Sequence, residues 1–265
     1  NDQWKKLNTP VHLKLGEYSC EFETETLKGI VGGYRFIGLN QVTHKPSGEE
    51  LAGGNGLLTV YRVFTRNRRY GQAAYSWKGR KMRIDGHTIL MRWPATDARP
   101  FDLEARYSFP KPNLVKLQVT VAAKKDLTDF EVQVGTYFDK GFPSAGVLMD
   151  DGKFVSSPAK LGTWHAFPRD QRAKGVIGDG RWNHGPSPVE FVIRTPFASP
   201  VSIRRHASAN LLATLKSTPA DCFAIYTAHD REPHYSNYNA LFGRTIAKGE
   251  SATAAVLMII DETAE

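Results

Sequence analysis

The sequence predicts an all-β protein, a large two-sheet antiparallel sandwich. Three observations carry the prediction: residue character alternates with a period of two along much of the chain, glycine and proline collect between the alternating runs, and 3.6-residue periodicity is nearly absent. Helical and parallel α/β architectures are disfavoured by the same pattern.

The alternation is clearest between residues 101 and 138. Phe101, Leu103, Ala105, Tyr107 and Phe109 alternate with Asp102, Glu104, Arg106 and Ser108, so an extended segment there has one apolar and one polar face. Pro110, Lys111, Pro112 and Asn113 supply a turn, after which Val115, Leu117, Val119 and Val121 repeat the pattern and predict a hairpin. Phe130, Val132, Val134, Thr136 and Phe138 then alternate with Glu131, Gln133, Gly135 and Tyr137, predicting a third strand of the same sheet. Further strands are expected at 34–42, 57–65, 81–93 with a break at Asp85-Gly86, 189–195, 210–215, 222–228 and 253–260.

Strands covered on one face need a second layer, so this many of them imply two packed sheets. The expected organisation is a single domain over residues 1–265. Within it the Gly-, Pro-, Trp- and His-rich stretch 141–188 reads as long loops over one sheet.

Composition narrows the function classes. No run approaches the roughly 20 apolar residues needed to cross a bilayer, so no membrane span is expected. The net charge of +8 would suit a nucleic acid, an acidic surface or an anionic polysaccharide. Its densest runs, Arg62, Arg66, Arg68, Arg69 and Lys78, Arg80, Lys81, Arg83, fall in strand- and turn-like sequence and not on an amphipathic helix. They read as solvent-facing positions, and nucleic acid is not an expected partner. Cys20 and Cys222 are far apart and form no C-x-x-C pair, which argues against a structural zinc site and a dense disulfide framework but leaves one bridge open. A chain that opens on Asn1 suits an exported protein, secreted or periplasmic, freed of its leader. There is no G-x-S-x-G elbow, phosphate loop or dinucleotide fingerprint. Gly53-Gly54-Asn55-Gly56 reads as a turn, and no cofactor is expected.

Three stretches set the order of segments. Gly32-Gly33-Tyr34-Arg35-Phe36 leads to His44-Lys45-Pro46-Ser47-Gly48-Glu49-Glu50-Leu51. The central runs 101–109, 113–121 and 130–139 follow. Leu241-Phe242-Gly243-Arg244 and Lys248-Gly249-Glu250-Ser251 precede the apolar run 254–260. This layout resembles the galactose mutarotase-like (aldose epimerase-like) superfamily, as a divergent member. The resemblance implies a β-supersandwich that holds sugar in a groove on one concave sheet.

It also implies a test. Aldose epimerases pair a histidine acid with a glutamate base, because ring opening delivers one proton to the ring oxygen while another leaves the anomeric hydroxyl. The glutamate should lie on the penultimate long strand, yet Cys222 to His229 carries no acid. The nearest acids are Asp230 and Glu232, and the Asn-His pair expected near Tyr137 is missing. Standard mutarotation is therefore not what these residues support.

Two clusters remain for chemistry. His229, Asp230, Glu232, His234 and Tyr235, with Tyr238 shortly after, could supply acid, base and orienting groups for a sugar, or form a solvated loop. Trp164-His165 and Arg181-Trp182-Asn183-His184 place aromatic rings, which stack on pyranose C–H faces, beside hydrogen-bonding groups; the alternative is that the tryptophans plug the sandwich edge. His229 and His234 lack the helical spacing of a zinc site, so no metal is expected. From the resemblance, Arg35, His44 and Arg62 would point into the groove and favour an acidic or sulfated sugar, ion pairs with Glu49 or Glu104 being the alternative. The catalytic candidates are thus His229, His165, His234 and Tyr238, with His229 first. The substrate-binding candidates are Arg35, His44, Arg62, Trp164, Arg181, Trp182, His184, Asp230, Glu232 and Tyr235. Two functions stay open: a carbohydrate-active enzyme of epimerase or lyase type, or a non-catalytic extracellular module that binds a glycan or protein.

Overall fold

A computed structural model of the chain describes residues 11–66, 68–72, 77–177, 188–193, 201–218, 222–227, 233–241 and 245–264. Three sheets account for the strands. A four-stranded antiparallel sheet runs in chain order through β1 (His12–Leu15), β2 (Ser19–Glu23), β3 (Leu27–Gly32) and β4 (Leu39–His44). Strands β5 (Thr59–Thr65), β6 (Arg68–Gln72), β11 (Glu131–Thr136), β14 (Trp164–Pro168), β15 (Val189–Phe191), β18 (Cys222–Thr227) and β19 (Pro233–Leu241) form a seven-stranded sheet in the order β15-β14-β18-β19-β11-β5-β6. The rest are β7 (Lys81–Asp85), β8 (Thr88–Trp93), β9 (Phe101–Lys111), β10 (Leu114–Ala123), β12 (Ser144–Leu148), β13 (Phe154–Ser156), β16 (Val201–Arg205), β17 (Leu211–Thr218) and β20 (Ser251–Glu262). They make a nine-stranded sheet ordered β13-β12-β16-β17-β20-β10-β9-β8-β7.

The predicted hairpin forms as β9 and β10. Phe101, Leu103, Ala105, Tyr107 and Phe109 are buried while their neighbours are partly exposed, because an antiparallel sheet with one covered face sorts side chains by parity. The break at Asp85-Gly86 likewise becomes the β7–β8 turn, with Gly86 at φ 60°.

Three expectations need correction, and one open question is answered. The strand at 130–138 is not a third strand of the β9–β10 sheet: β11 lies in the seven-stranded sheet between β19 and β5. The free edge of β10 is taken instead by β20, in register from Leu114↔Ile259 to Ala122↔Ser251. The chain crosses over through 124–129, where Leu127 bridges Ile246 and Asp129 turns at φ 49° while held by Arg66. Phe130 consequently meets Phe101 edge-on, 5.3 Å away, from the other side of the core.

The strand expected at 34–42 is a turn up to Gly38 followed by the start of β4, since β3 has already ended at Gly32. Gly38 sits at φ 61° so close to β5 that a Cβ would fall 2.5 Å from the Leu57 carbonyl, which only glycine allows. The stretch 141–188 holds β12, β13, β14 and a short helix, α1 (Gln171–Ile177), where long loops were expected; residues 178–187 lie outside the described residues. Every residue of β14 is buried, so it has no polar face and shows no alternation in sequence. Last, Cys20 on β2 and Cys222 on β18 are free thiols in different sheets and are not bridged.

The core lies between the two large sheets and under the small one, filled by Trp93, Phe101, Tyr107, Phe130, Phe167, Phe223 and their aliphatic neighbours. Burying each such side chain contributes about 1.5–3 kcal/mol.

Candidate functional site

Strand parity divides the seven-stranded sheet into two faces. Val132 and Val134 on β11 belong to the main core, as do Phe223 and Ile225 on β18, Tyr238 on β19 and Phe167 on β14. Residues of opposite parity form a separate buried cluster of Phe64, Tyr137, Trp164, Ala166, Ala173, Cys222 and Ala224, with Val189, Phe191 and Tyr226 packed against it. That cluster marks a second face, turned away from the nine-stranded sheet, and α1 packs on it through Ala173.

The β14–β18 half of this face is apolar. Ala166 is the register partner of Ala224, and Trp164 of Tyr226, the two rings lying 5.0 Å apart. The β11–β5–β6 half is polar. Gln133 is the register partner of Arg62 and of Asn239, and Arg62 in turn of Gln72. Glu131 lies two residues along β11 on the same face, beside Phe64, which is the register partner of Arg69.

Two of these polar groups carry buried atoms without partners. Gln133 is 1% exposed, and neither its amide nitrogen nor its oxygen has a hydrogen-bond partner among the described residues. The Nε of Arg62 is also buried without one, its guanidinium lying 5.0 Å over the Tyr61 ring. Burial, and then repulsion from Arg62, push the Arg69 guanidinium below its usual range. A buried amide left unbonded costs about 1–3 kcal/mol, so a cluster of this kind is out of place in a region that serves packing alone. A flat amide beside a guanidinium can grip neighbouring hydroxyls in pairs, and an adjoining apolar wall can meet the C–H side of the same molecule.

The structure distributes the sequence candidates widely. Arg62 and Trp164 are on the second face, Trp164 as a 5% exposed part of the apolar wall. His165 and Tyr238 are not. Register places His165 opposite Ile225 and Tyr238 opposite Phe223, both on the core face. His165 is 0% exposed and bonds through Nδ1 to the Ser157 hydroxyl at 3.2 Å, and Tyr238 is 1% exposed. Neither can reach a ligand on the second face, because a one-residue change of parity moves a side chain through the sheet.

Arg35 is exposed in the β3–β4 turn. His44 ends β4, where Nδ1 meets the Ser47 hydroxyl at 2.8 Å and Nε2 faces Glu262 at 3.4 Å. Both belong to the small sheet, so they do not join Arg62. The ion pairs considered for Arg62 are not made either: Glu49 meets His206 and Glu104 meets Arg106. His234 and Tyr235 lie on β19, and for these two residues the description extends to the backbone alone. Arg181, Trp182, His184, His229, Asp230 and Glu232 lie outside the described residues. Sequence reading missed Gln133, Glu131 and Arg69 as site residues. The signal was present, since Glu131 and Gln133 are polar on a strand whose other side carries Val132 and Val134, but it read as a solvent face.

Architecture of this kind, large antiparallel sheets packed as a supersandwich, is the galactose mutarotase-like fold. Similar solved structures include a galactose mutarotase related enzyme from Lactobacillus acidophilus, with a TM-score of 0.55 and 11% identity over 93% of this chain and 98% of that one. A galactose 1-epimerase from Lactobacillus acidophilus NCFM also gives 0.55, with 12% identity over 97% and 100%. A galactose mutarotase-like protein from Lactobacillus casei gives 0.53, with 8% identity over 95% and 100%. No family model and no curated protein matches the chain. At these identities the likeness defines the fold and leaves the chemistry to the residues themselves.

Proposed function

We propose that this protein binds a carbohydrate on the second face of its seven-stranded sheet, with Gln133 and Arg62 taking the hydroxyls and the Trp164–Tyr226 side providing an apolar wall. The observation that carries the reading is the buried, unbonded amide of Gln133 beside the unbonded Nε of Arg62. A sugar would satisfy both, and the solved structures of similar fold include an enzyme named for acting on galactose. Arg62 and Arg69 stand close enough to repel, which favours a sugar carrying a carboxylate or sulfate that neutralises them.

Acid–base chemistry on the bound sugar, epimerisation or elimination, is the catalytic form of this reading. Glu131 is a carboxylate on that face, buried and two residues from Gln133, and His229 is the first choice of proton-transfer partner. A second reading, a binding module without turnover, is favoured by one observation: β18 presents Cys222, Ala224 and Tyr226 to the face and no acid.

A thermal-shift screen over neutral, uronic and sulfated sugars tests the binding, and NMR of any hit over time tests turnover. Stabilisation by an acidic sugar that Gln133→Ala abolishes supports the site. Stabilisation that survives Gln133→Ala and Arg62→Ala rules it out. A changing anomeric or unsaturated-sugar signal separates enzyme from module.

A further inference from the structure

A different part of the surface joins an exposed aromatic pair to unneutralised positive charge. Tyr34, in the β3–β4 turn, is 84% exposed, and Tyr18, in the β1–β2 turn, is 45% exposed. They do not lie loose: the rings meet edge-on at 5.5 Å with planes 79° apart. Rings left in water forgo the stabilisation burial would bring, so a pair held in defined geometry on the surface is a feature that folding alone does not call for.

The device that holds it is Arg80. Its Nη2 donates to the carbonyl of Gly33 at 2.8 Å and of Tyr18 at 3.2 Å, pinning the two tyrosine-bearing turns together, while the guanidinium lies 5.4 Å over the Phe36 ring. Around this peg stand Arg35, next to Tyr34, and Lys78 and Lys81 on either side of Arg80. All three are exposed, and none makes an ion pair among the described residues. Arg83, further along β7, is exposed and 3.5 Å from Asp85. The acid at the platform itself is Glu17, whose nearby carboxylate pushes the Tyr18 hydroxyl above its ordinary pKa. Positive charge is therefore in excess there, and the basic run 78–83 gains a role beyond that of a solvated strand edge.

We propose that Tyr34 and Tyr18, flanked by Arg35, Lys78 and Lys81, form a second binding site that holds an anionic polysaccharide. One sugar ring rests on Tyr34, and the carboxylates or sulfates of its neighbours along the chain meet the three cations. Polysaccharide is favoured over nucleic acid by the form of the platform. It offers one widely exposed ring where single strands are held by a succession of stacking aromatics, and among the described residues no helix stands there to enter a duplex groove. This site is independent of Gln133 and Arg62, and it implies that the ligand is a polymer and not a free monosaccharide.

The test uses heparin and polygalacturonate as polyanions, dextran as the neutral control and single-stranded DNA as competitor, with binding measured against salt. Tyr34→Ala, and separately Lys78→Glu with Lys81→Glu, each change exposed side chains, and their melting temperatures serve as the folding control. The expected result is binding of a polyanion, not of dextran, weakened about tenfold by either variant, with a shallower salt dependence after the charge reversals. Binding unchanged in both variants overturns the proposal, as does equal affinity for dextran. DNA displacing heparin at lower concentration than polygalacturonate does would reassign the surface to nucleic acid.

Discussion

Gln133 on β11 and Arg62 on β5 are register partners on neighbouring strands, and each holds a buried polar atom that no described residue bonds. The pair is costly to the fold, and the cost is the reason to test it first. Gln133→Met keeps the length of the side chain and removes the unbonded amide. It is expected to raise stability by about 1–2 kcal/mol while abolishing sugar-induced stabilisation, the usual sign of a site maintained at the expense of the fold. Urea denaturation reads the first effect and thermal shift the second. A lowered urea midpoint would mean that the Gln133 amide is bonded to ordered water.

Tyr107 should matter more than an average core tyrosine. Its hydroxyl donates to the carbonyl of Leu58 at 2.5 Å, and Leu58 stands at φ 47°, a left-handed conformation unusual for a bulky residue, just before β5. The bond ties the nine-stranded sheet to the start of the strand that carries Arg62. Tyr107→Phe leaves a buried carbonyl unpaired and is expected to cost about 1–3 kcal/mol in urea unfolding, with weaker sugar binding following from a displaced β5.

Acid should destabilise the protein through two buried histidines. Burial pushes the His165 imidazole below its ordinary value, with Glu190 opposing, and burial does the same to His44 against Glu262. The folded pKa of each is depressed, so the unfolded chain binds the proton first. Stability is intact above the unfolded value near 6.5 and falls as pH drops from there towards the folded values, at up to about 1.4 kcal/mol per pH unit for each group. Unfolding midpoints between pH 8 and 5 check this. His165→Gln should flatten the lower part of the profile, and an unchanged slope would remove His165 from the account.

Both thiols should be inert while the protein is folded. Cys20 and Cys222 are each 0% exposed, and burial pushes the Cys20 thiol up to about 11. A thiol reagent at pH 8 is expected to label neither in the native protein and both in urea, and reducing agent should not change the melting temperature. A reductant-sensitive melt would contradict the separation of β2 and β18.

Much of the fold was legible in residue order because parity is a local property. The β9–β10 hairpin and the β7–β8 break follow from alternation and turn residues alone, since a strand with one wet face must sort its side chains two by two. The order of segments likewise implies the supersandwich. Tertiary structure decided what lies beyond the reach of neighbouring residues. It carried β11 across to the seven-stranded sheet, because β20 satisfies the edge of β10. It placed β14 where both faces are covered, which erased its pattern. It put His165 and Tyr238 in the core and Gln133 on the opposite face, because which side of a sheet is inside depends on what packs against it. Alternation alone determines that a strand has two faces; the layers above and below determine which of them can hold a ligand.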